Sequence, residues 1–131
     1  MATTTLYPAS ENWGIMPKIT TQTASSTVVT AAGNTATATV QPVGNVGGPV
    51  TVHIGVDIVS GSSPSWAPVV QFSNDGTTWL AANADETIPA ITTTGVTVWR
   101  VAQSRGTFVR VSWPLPGGTT PSFTASIAIW S

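Results

Sequence analysis

Histidines and carboxylates are the first places to look for chemistry, and this chain has few of either. His53 is its one histidine, and Glu11, Asp57, Asp75, Asp85 and Glu86 are its acids. His53 and Asp57 both lie in TVHIGVDIV, residues 51–59. Four strand residues separate them by about 13 Å, too far for a hydrogen bond, so they form no catalytic pair on one strand. A zinc site would need His53 plus carboxylates gathered from distant segments, because there is no cysteine. Asp85 and Glu86 adjoin in ANADETIP. Neighbours on a strand point to opposite faces, which disfavours the paired carboxylates of a glycoside hydrolase. No serine is framed as a nucleophile elbow. GNVGGP has the glycines of a phosphate loop, but no Gly-Lys-Ser or Gly-Lys-Thr follows it. Asn74-Asp75-Gly76 supplies one carboxylate where a calcium loop supplies several. A backbone reversal is the plainer reading, with Asn and Asp bonding the local backbone and Gly76 taking a positive φ. The expectation is a protein that is not an enzyme and holds no metal or cofactor.

Binding is the other possibility, and tryptophan is its best instrument. Six tryptophans are present, and this side chain can stack on a sugar or anchor a protein interface. Trp66 lies in the Ser/Pro-rich stretch SGSSPSWAP, and Trp130 falls on the polar side of an alternating segment. Trp13 lies near Tyr7, Ile15 and Met16 in an N-terminal stretch without clean periodicity. Tyr7, Trp13, Ile15, Met16, Trp66 and Trp130 are the candidate partner-binding residues. Trp79 is expected to pack inward.

Charge narrows the partners. Only 7% of the residues are charged, with a net charge of −1, against about 25% in an average domain. Lys18, Arg100, Arg105 and Arg110 are scattered, whereas a phosphate backbone is met by clustered Lys and Arg. No nucleic-acid partner is expected. A neutral surface of Thr, Ser, Asn and Gly repels its own copies weakly, which suits a protein packed among neighbours. The N-terminal sequence MATTTLYPASENWG has neither a basic start nor an apolar core of signal-peptide length. No segment approaches the roughly 18 apolar residues of a membrane span. Synthesis in a cytoplasm, as a soluble protein without a membrane partner, is the expectation.

The elements that must position these residues are strands. Thr, Val and Ile abound while the usual helix formers are scarce. Residues 51–59 alternate, with Val52, Ile54, Val56 and Ile58 on one face. Phe123, Ala125, Ile127 and Ile129 do the same in 122–130, as do Val109, Val111 and Trp113 in 107–113. Residues 69–73 add a short strand with Val70 and Phe72 inward. Residues 96–102, VTVWRVA, are apolar on both faces, which fits a central strand or one covered by a partner. Residues 26–32 and 35–41 flank Gly33-Asn34 and read as a hairpin. Loops are expected at 42–49, 60–68 and 114–121. The fold class is therefore all-β, an antiparallel β-sandwich of immunoglobulin-like or jelly-roll type. A single sandwich domain over 26–131 is preceded by an extended N-terminal arm over 1–25, which needs its own domain or a neighbouring subunit to lie on.

FSNDGTTW, GTFVRVSW and GGTTPSFTASIAIW together resemble a pattern of small tailed-bacteriophage virion β-sandwich proteins. In that pattern a strand ends in Ser-Asn/Leu-Asp-Gly-x-x-Trp. A Val-Arg-Val strand, a Gly/Thr/Ser turn and a last alternating strand follow it. Phe72 to Trp79, Phe108 to Val111 and Gly117 to Ile129 carry the resemblance, and residues 1–50 carry none of it. The same Ser-x-Asp-Gly-x-x-Trp turn also occurs in discoidin-like jelly rolls that bind carbohydrate or lipid. The resemblance implies a structural or adhesive virion component. A capsid decoration (cement) protein on the capsid exterior, synthesised in the bacterial host cytoplasm, suits the low charge and the arm. Its partners would be the major capsid protein and copies of itself, a trimer being one arrangement. The alternative is a tail- or fibre-associated carbohydrate-binding module for host adhesion, with Trp66 or Trp130 as the sugar platform.

Overall fold

The structure is a computed structural model that describes residues 19–40, 42–43 and 46–130. Its strands are β1 (Ile19–Val29), β2 (Gly33–Asn34), β3 (Ala38–Thr39), β4 (Pro42–Val43), β5 (Val46–Gly47), β6 (Val50–Ser65), β7 (Val69–Ser73), β8 (Gly95–Val101), β9 (Phe108–Trp113) and β10 (Gly117–Trp130). A 3-10 turn at Ala84–Glu86 is the one helical element among the described residues. The larger sheet has the order β1-β10-β6-β8, and every pairing in it is antiparallel. In the smaller sheet β9 is central, with β7 on one side and β2 and β3 on the other. A two-stranded ribbon, β4-β5, lies within the segment expected as a loop at 42–49. The all-β antiparallel sandwich expected from the alternation is what the chain forms.

The core lies where the two inner faces meet. Val50, Val52, Ile54 and Val56 of β6 and Phe123, Ala125, Ile127 and Ile129 of β10 are buried, as are Val70, Phe72, Val109 and Val111 of the smaller sheet. Each set is the apolar half of an alternating run, so period two decided the face. Trp66 closes the core between the sheets, edge-on to Trp113 at 5.4 Å between ring centroids and tilted against Phe123 at 5.8 Å.

Four expectations need correction. The first concerns Ile58, expected inward but 60% exposed. The ladder steps from Val56↔Ala125 to Ile58↔Thr124, leaving Asp57 as an extra residue in a β-bulge. One inserted residue turns every later side chain over, and Val59, not Ile58, packs on the core. The second concerns the hairpin at Gly33-Asn34. β1 pairs with β10 in the larger sheet, while β2 and β3 pair with β9 in the smaller one, so the chain changes sheets there. Gly33 is not among the glycines with positive φ, which a two-residue hairpin turn would require. It instead makes room for a ring: a Cβ on Gly33 would meet the Trp113 indole at 3.3 Å, and that indole Nε1 donates to Ala31 O at 3.1 Å.

The third correction concerns the segments 60–68 and 114–121. They are not separate loops: Ser65 pairs with Gly117, Ser62 with Thr119 and Ser60 with Ser122 in an irregular extension of the β6-β10 ladder. Gly61 and Gly118 have φ of +103° and +106°, and a Cβ on either would meet carbonyl oxygens of the facing strand at 2.6 Å. Only glycine allows so close a backbone approach in that conformation. The fourth concerns the arm. Residues 19–25, assigned to it from sequence, belong to β1 and pair with β10.

Candidate functional site

The Phe72–Trp79 corner is built from hydrogen bonds that use its polar side chains up locally. Ser73 Oγ accepts from the backbone of Gly76 at 2.9 Å and of Asp75 at 3.3 Å, and donates to Asp75 Oδ1 at 3.0 Å. The same carboxylate oxygen accepts from the amides of Thr78 at 2.7 Å and Thr77 at 2.8 Å. These donors, Thr78 first, then Thr77 and the Ser73 hydroxyl, hold the Asp75 carboxyl down at about 2. Gly76 takes φ +78°. Among the described residues no group of three or more His, Cys, Asp or Glu side chains is placed to hold a metal ion.

Two of the three segments that carry the virion resemblance, Phe72 to Trp79 and Phe108 to Val111, are neighbours in space. β7 and β9 run antiparallel, with Phe72 opposite Val109 and Ser73 opposite Phe108. Gly106, which opens GTFVRV, lies so near the corner that a Cβ on it would meet Ser73 O at 2.7 Å. Trp79 bridges to Ser73 on β7 and is only half-buried, outside the core cluster, rather than packed inward as expected. The Arg110 guanidinium lies over its ring at 4.1 Å and donates from Nε to Gln71 Oε1 at 2.8 Å. Leu80, next along, packs against the core in its place, and its amide donates to Phe72 O at 2.8 Å.

An ion pair that spacing did not reveal locks the return from this corner. Glu86 is fully buried, and its Oε1 accepts from Arg105 Nη1 at 2.6 Å and from the Asn83 amide at 3.0 Å. Arg105 also donates to Ala81 O at 2.9 Å. Asp85, beside Glu86, is exposed. The pair lies in the 3-10 turn rather than on a strand, but the two carboxylates still part company. An acidic residue followed by an apolar run gave no sign of burial, because the partner comes from nineteen residues away.

The candidate binding residues scatter. Tyr7, Trp13, Ile15 and Met16 lie outside the described residues. Trp66, expected at a partner surface, has no exposed area. Its Ser/Pro-rich setting suggested a loop, but Trp66 and Ile91 exchange backbone hydrogen bonds of 2.9 and 2.7 Å, which fixes the indole beneath the sheets. Trp130 is half-buried on the outer face of the larger sheet, the side expected.

Among the described residues, four of the five large apolar side chains that are exposed, Val28, Ile58, Val96 and Val98, stand on that outer face. One row across it runs Val28, Thr124, Ile58; another runs Val98, His53, Ala128; a third runs Arg100, Thr51, Trp130. Val28, Ile58, Val96 and Val98 are each 59–66% exposed. Single exposed apolar residues are ordinary, but several on one sheet face mark an interaction surface. β8 is an edge strand, not a central one, and its outward valines stand on the exposed outer face that Ile58 of the central strand β6 shares.

No protein-family model, curated protein or solved structure matches this chain.

Proposed function

We propose that this chain is a non-enzymatic structural protein of a tailed-bacteriophage virion, most simply a capsid decoration protein bound to the outer capsid surface. The observation that carries a binding role is the apolar outer face of the larger sheet. Val28, Ile58, Val96 and Val98 stand on it in a domain whose surface is nearly uncharged. A face of this kind gains by being covered, at about 25 cal/mol per Å² of apolar area. The virion assignment rests on the paired FSNDGTTW and GTFVRV motifs, which the fold brings together as one structural unit. The major capsid protein is the proposed partner of the outer face. The N-terminal segment, residues 1–18, with Tyr7, Trp13, Ile15 and Met16, is proposed to reach an adjacent subunit.

The test is attachment to purified heads. Ile58→Lys with Val28→Lys is expected to abolish cosedimentation with heads while the thermal unfolding curve stays in place. Deleting residues 1–18 is expected to weaken attachment and leave the sandwich folded. If both variants bind heads as the parent does, the decoration reading is wrong. Host-glycan binding by a tail or fibre module loses Trp66 as its platform, because that ring is buried. Trp130 is what remains of that reading.

A further inference from the structure

The sheets of this sandwich present four edges, and three of them are blunted. β1 pairs with β10 through three register shifts. Residues 33–40 break their ladder with β9 between β2 and β3, where Thr35 Oγ1 stands in for a carbonyl and accepts the Val111 amide at 3.0 Å. The free side of β7 is covered by residues 79–91. Leu80 donates to Phe72 O at 2.8 Å, Ile88 donates to Pro68 O at 3.2 Å, and Trp66 bridges to Ile91. Irregularity and cover of this kind are how natural sheets avoid adding strands.

β8 has none of these devices along most of its length. It pairs with β6 in unbroken register from Val50↔Val101 to Val56↔Gly95. Gly95-Val-Thr-Val-Trp99 contains no proline, no lysine and no acid, and no described residue hydrogen-bonds its far side as a strand. Its outward side chains, Val96 and Val98, are 66% and 59% exposed. One side chain near the edge is tied down: Trp99 turns inward and donates from Nε1 to Asp85 O at 2.8 Å.

We infer that β8 is a homodimer edge: a second copy of this chain adds its own β8 antiparallel to it, joining two four-stranded sheets into one of eight strands. A second copy is the fitting occupant because the edge is complementary to itself. With a twofold axis through Thr97, Val96 of each copy faces Val98 of the other, so four valines form one outward cluster. In the same register Trp99 faces the partner's Gly95. A Cβ added at Gly95 would meet nothing within 4 Å, so that position leaves space for the indole. Gly95 takes φ +140°, where a side chain is disfavoured, so the gap is built into the backbone. The main-chain ladder supplies the affinity, and the valine-to-valine and tryptophan-to-glycine matches fix the register. The contact is isologous and closes at two copies. It does not depend on the capsid reading: the two share Val96 and Val98 as exposed apolar residues, but that one is tested at Val28 and Ile58 and this one at Val96, Val98 and Thr97, so either can fail alone.

Two variants of the full chain test it by sedimentation equilibrium. The parent is expected to sediment as a dimer in a concentration-dependent equilibrium. Val96→Lys with Val98→Lys is expected to sediment at half that mass with an unchanged far-ultraviolet spectrum. Because the chain has no cysteine, Thr97→Cys gives a single thiol on the proposed axis. Mild oxidation is expected to convert it to a disulfide-linked dimer, while Thr92→Cys in the preceding loop stays uncrosslinked. A monomeric parent, a trimeric parent, a lysine variant of undiminished mass, or a Thr97→Cys protein that crosslinks no better than Thr92→Cys overturns the assignment.

Discussion

The outer faces of the two sheets belong to one molecule and are built in opposite ways. On the smaller sheet the outward side chains satisfy one another: Arg110 covers Trp79 and bonds Gln71, and Asp75 is wrapped in the donors of its own turn. On the larger sheet the outward positions include Val28, Ile58, Val96 and Val98, each well exposed. The smaller sheet's edges are likewise interrupted or covered, and the larger sheet keeps β8 open. One half of the sandwich is closed by contacts within the chain; the other leaves apolar side chains exposed. This division argues that the conserving of structure and the making of contacts are separate tasks here, and it can be tested by mutating each side in turn.

The largest effect is expected at the shared core, which both sheets need. Trp66→Ala removes the ring between Trp113 and Phe123 and should cost about 3–5 kcal/mol, read as a large fall in the urea midpoint. If the loss is small, Trp66 is not the element that joins the sheets. Next comes the buried ion pair beneath the smaller sheet's corner. Arg105→Ala leaves the buried Glu86 carboxyl without its ion-pair partner and should cost about 3 kcal/mol, measured by thermal unfolding at neutral pH. Gly106→Ala forces a Cβ against Ser73 and should cost about 2 kcal/mol in the same measurement.

Strong acid should weaken the smaller sheet's corner. The Asp75 carboxyl is held at about 2 in the folded chain, below its ordinary 3.8. Its contribution to stability is therefore complete above the ordinary value and lost as pH falls through about 2. Asp75→Asn should flatten that part of the stability-against-pH curve; an unchanged curve would place the acid sensitivity elsewhere. The smallest effect on stability is expected on the open side. Val98→Lys should change unfolding by less than about 0.5 kcal/mol while reducing self-association, which separates contact-making from folding most sharply.

Much of the fold was legible because alternation is local. Val52, Ile54 and Val56, Val109 and Val111, and Phe123, Ala125, Ile127 and Ile129 face inward as their spacing says. The Asn74-Asp75-Gly76 corner is the reversal that its residue types describe. Misreadings began where a distant strand intervened. Asp57 carries no bulge signal, so Ile58 could not be told from its inward neighbours. Gly33-Asn34 has the composition of a hairpin turn, but the two flanking runs found separate sheets. Trp66 lies in a stretch of loop-forming residues, and only the closing of the two sheets put it at their centre. Glu86 is adjacent to exposed Asp85, and its burial depends on Arg105 reaching it.

The sequence by itself determined that this chain is made of strands and which side of most of them is apolar, because side-chain direction repeats every two residues wherever the backbone is extended. It also marked β8 as apolar on both sides. Whether that strand lay in the middle of a sheet or at its rim was decided only by the tertiary structure, because pairing joins segments far apart along the chain. Placed at the rim, the strand keeps one side of its backbone unpaired by any described strand, beside valines that stand exposed on the sheet's outer face.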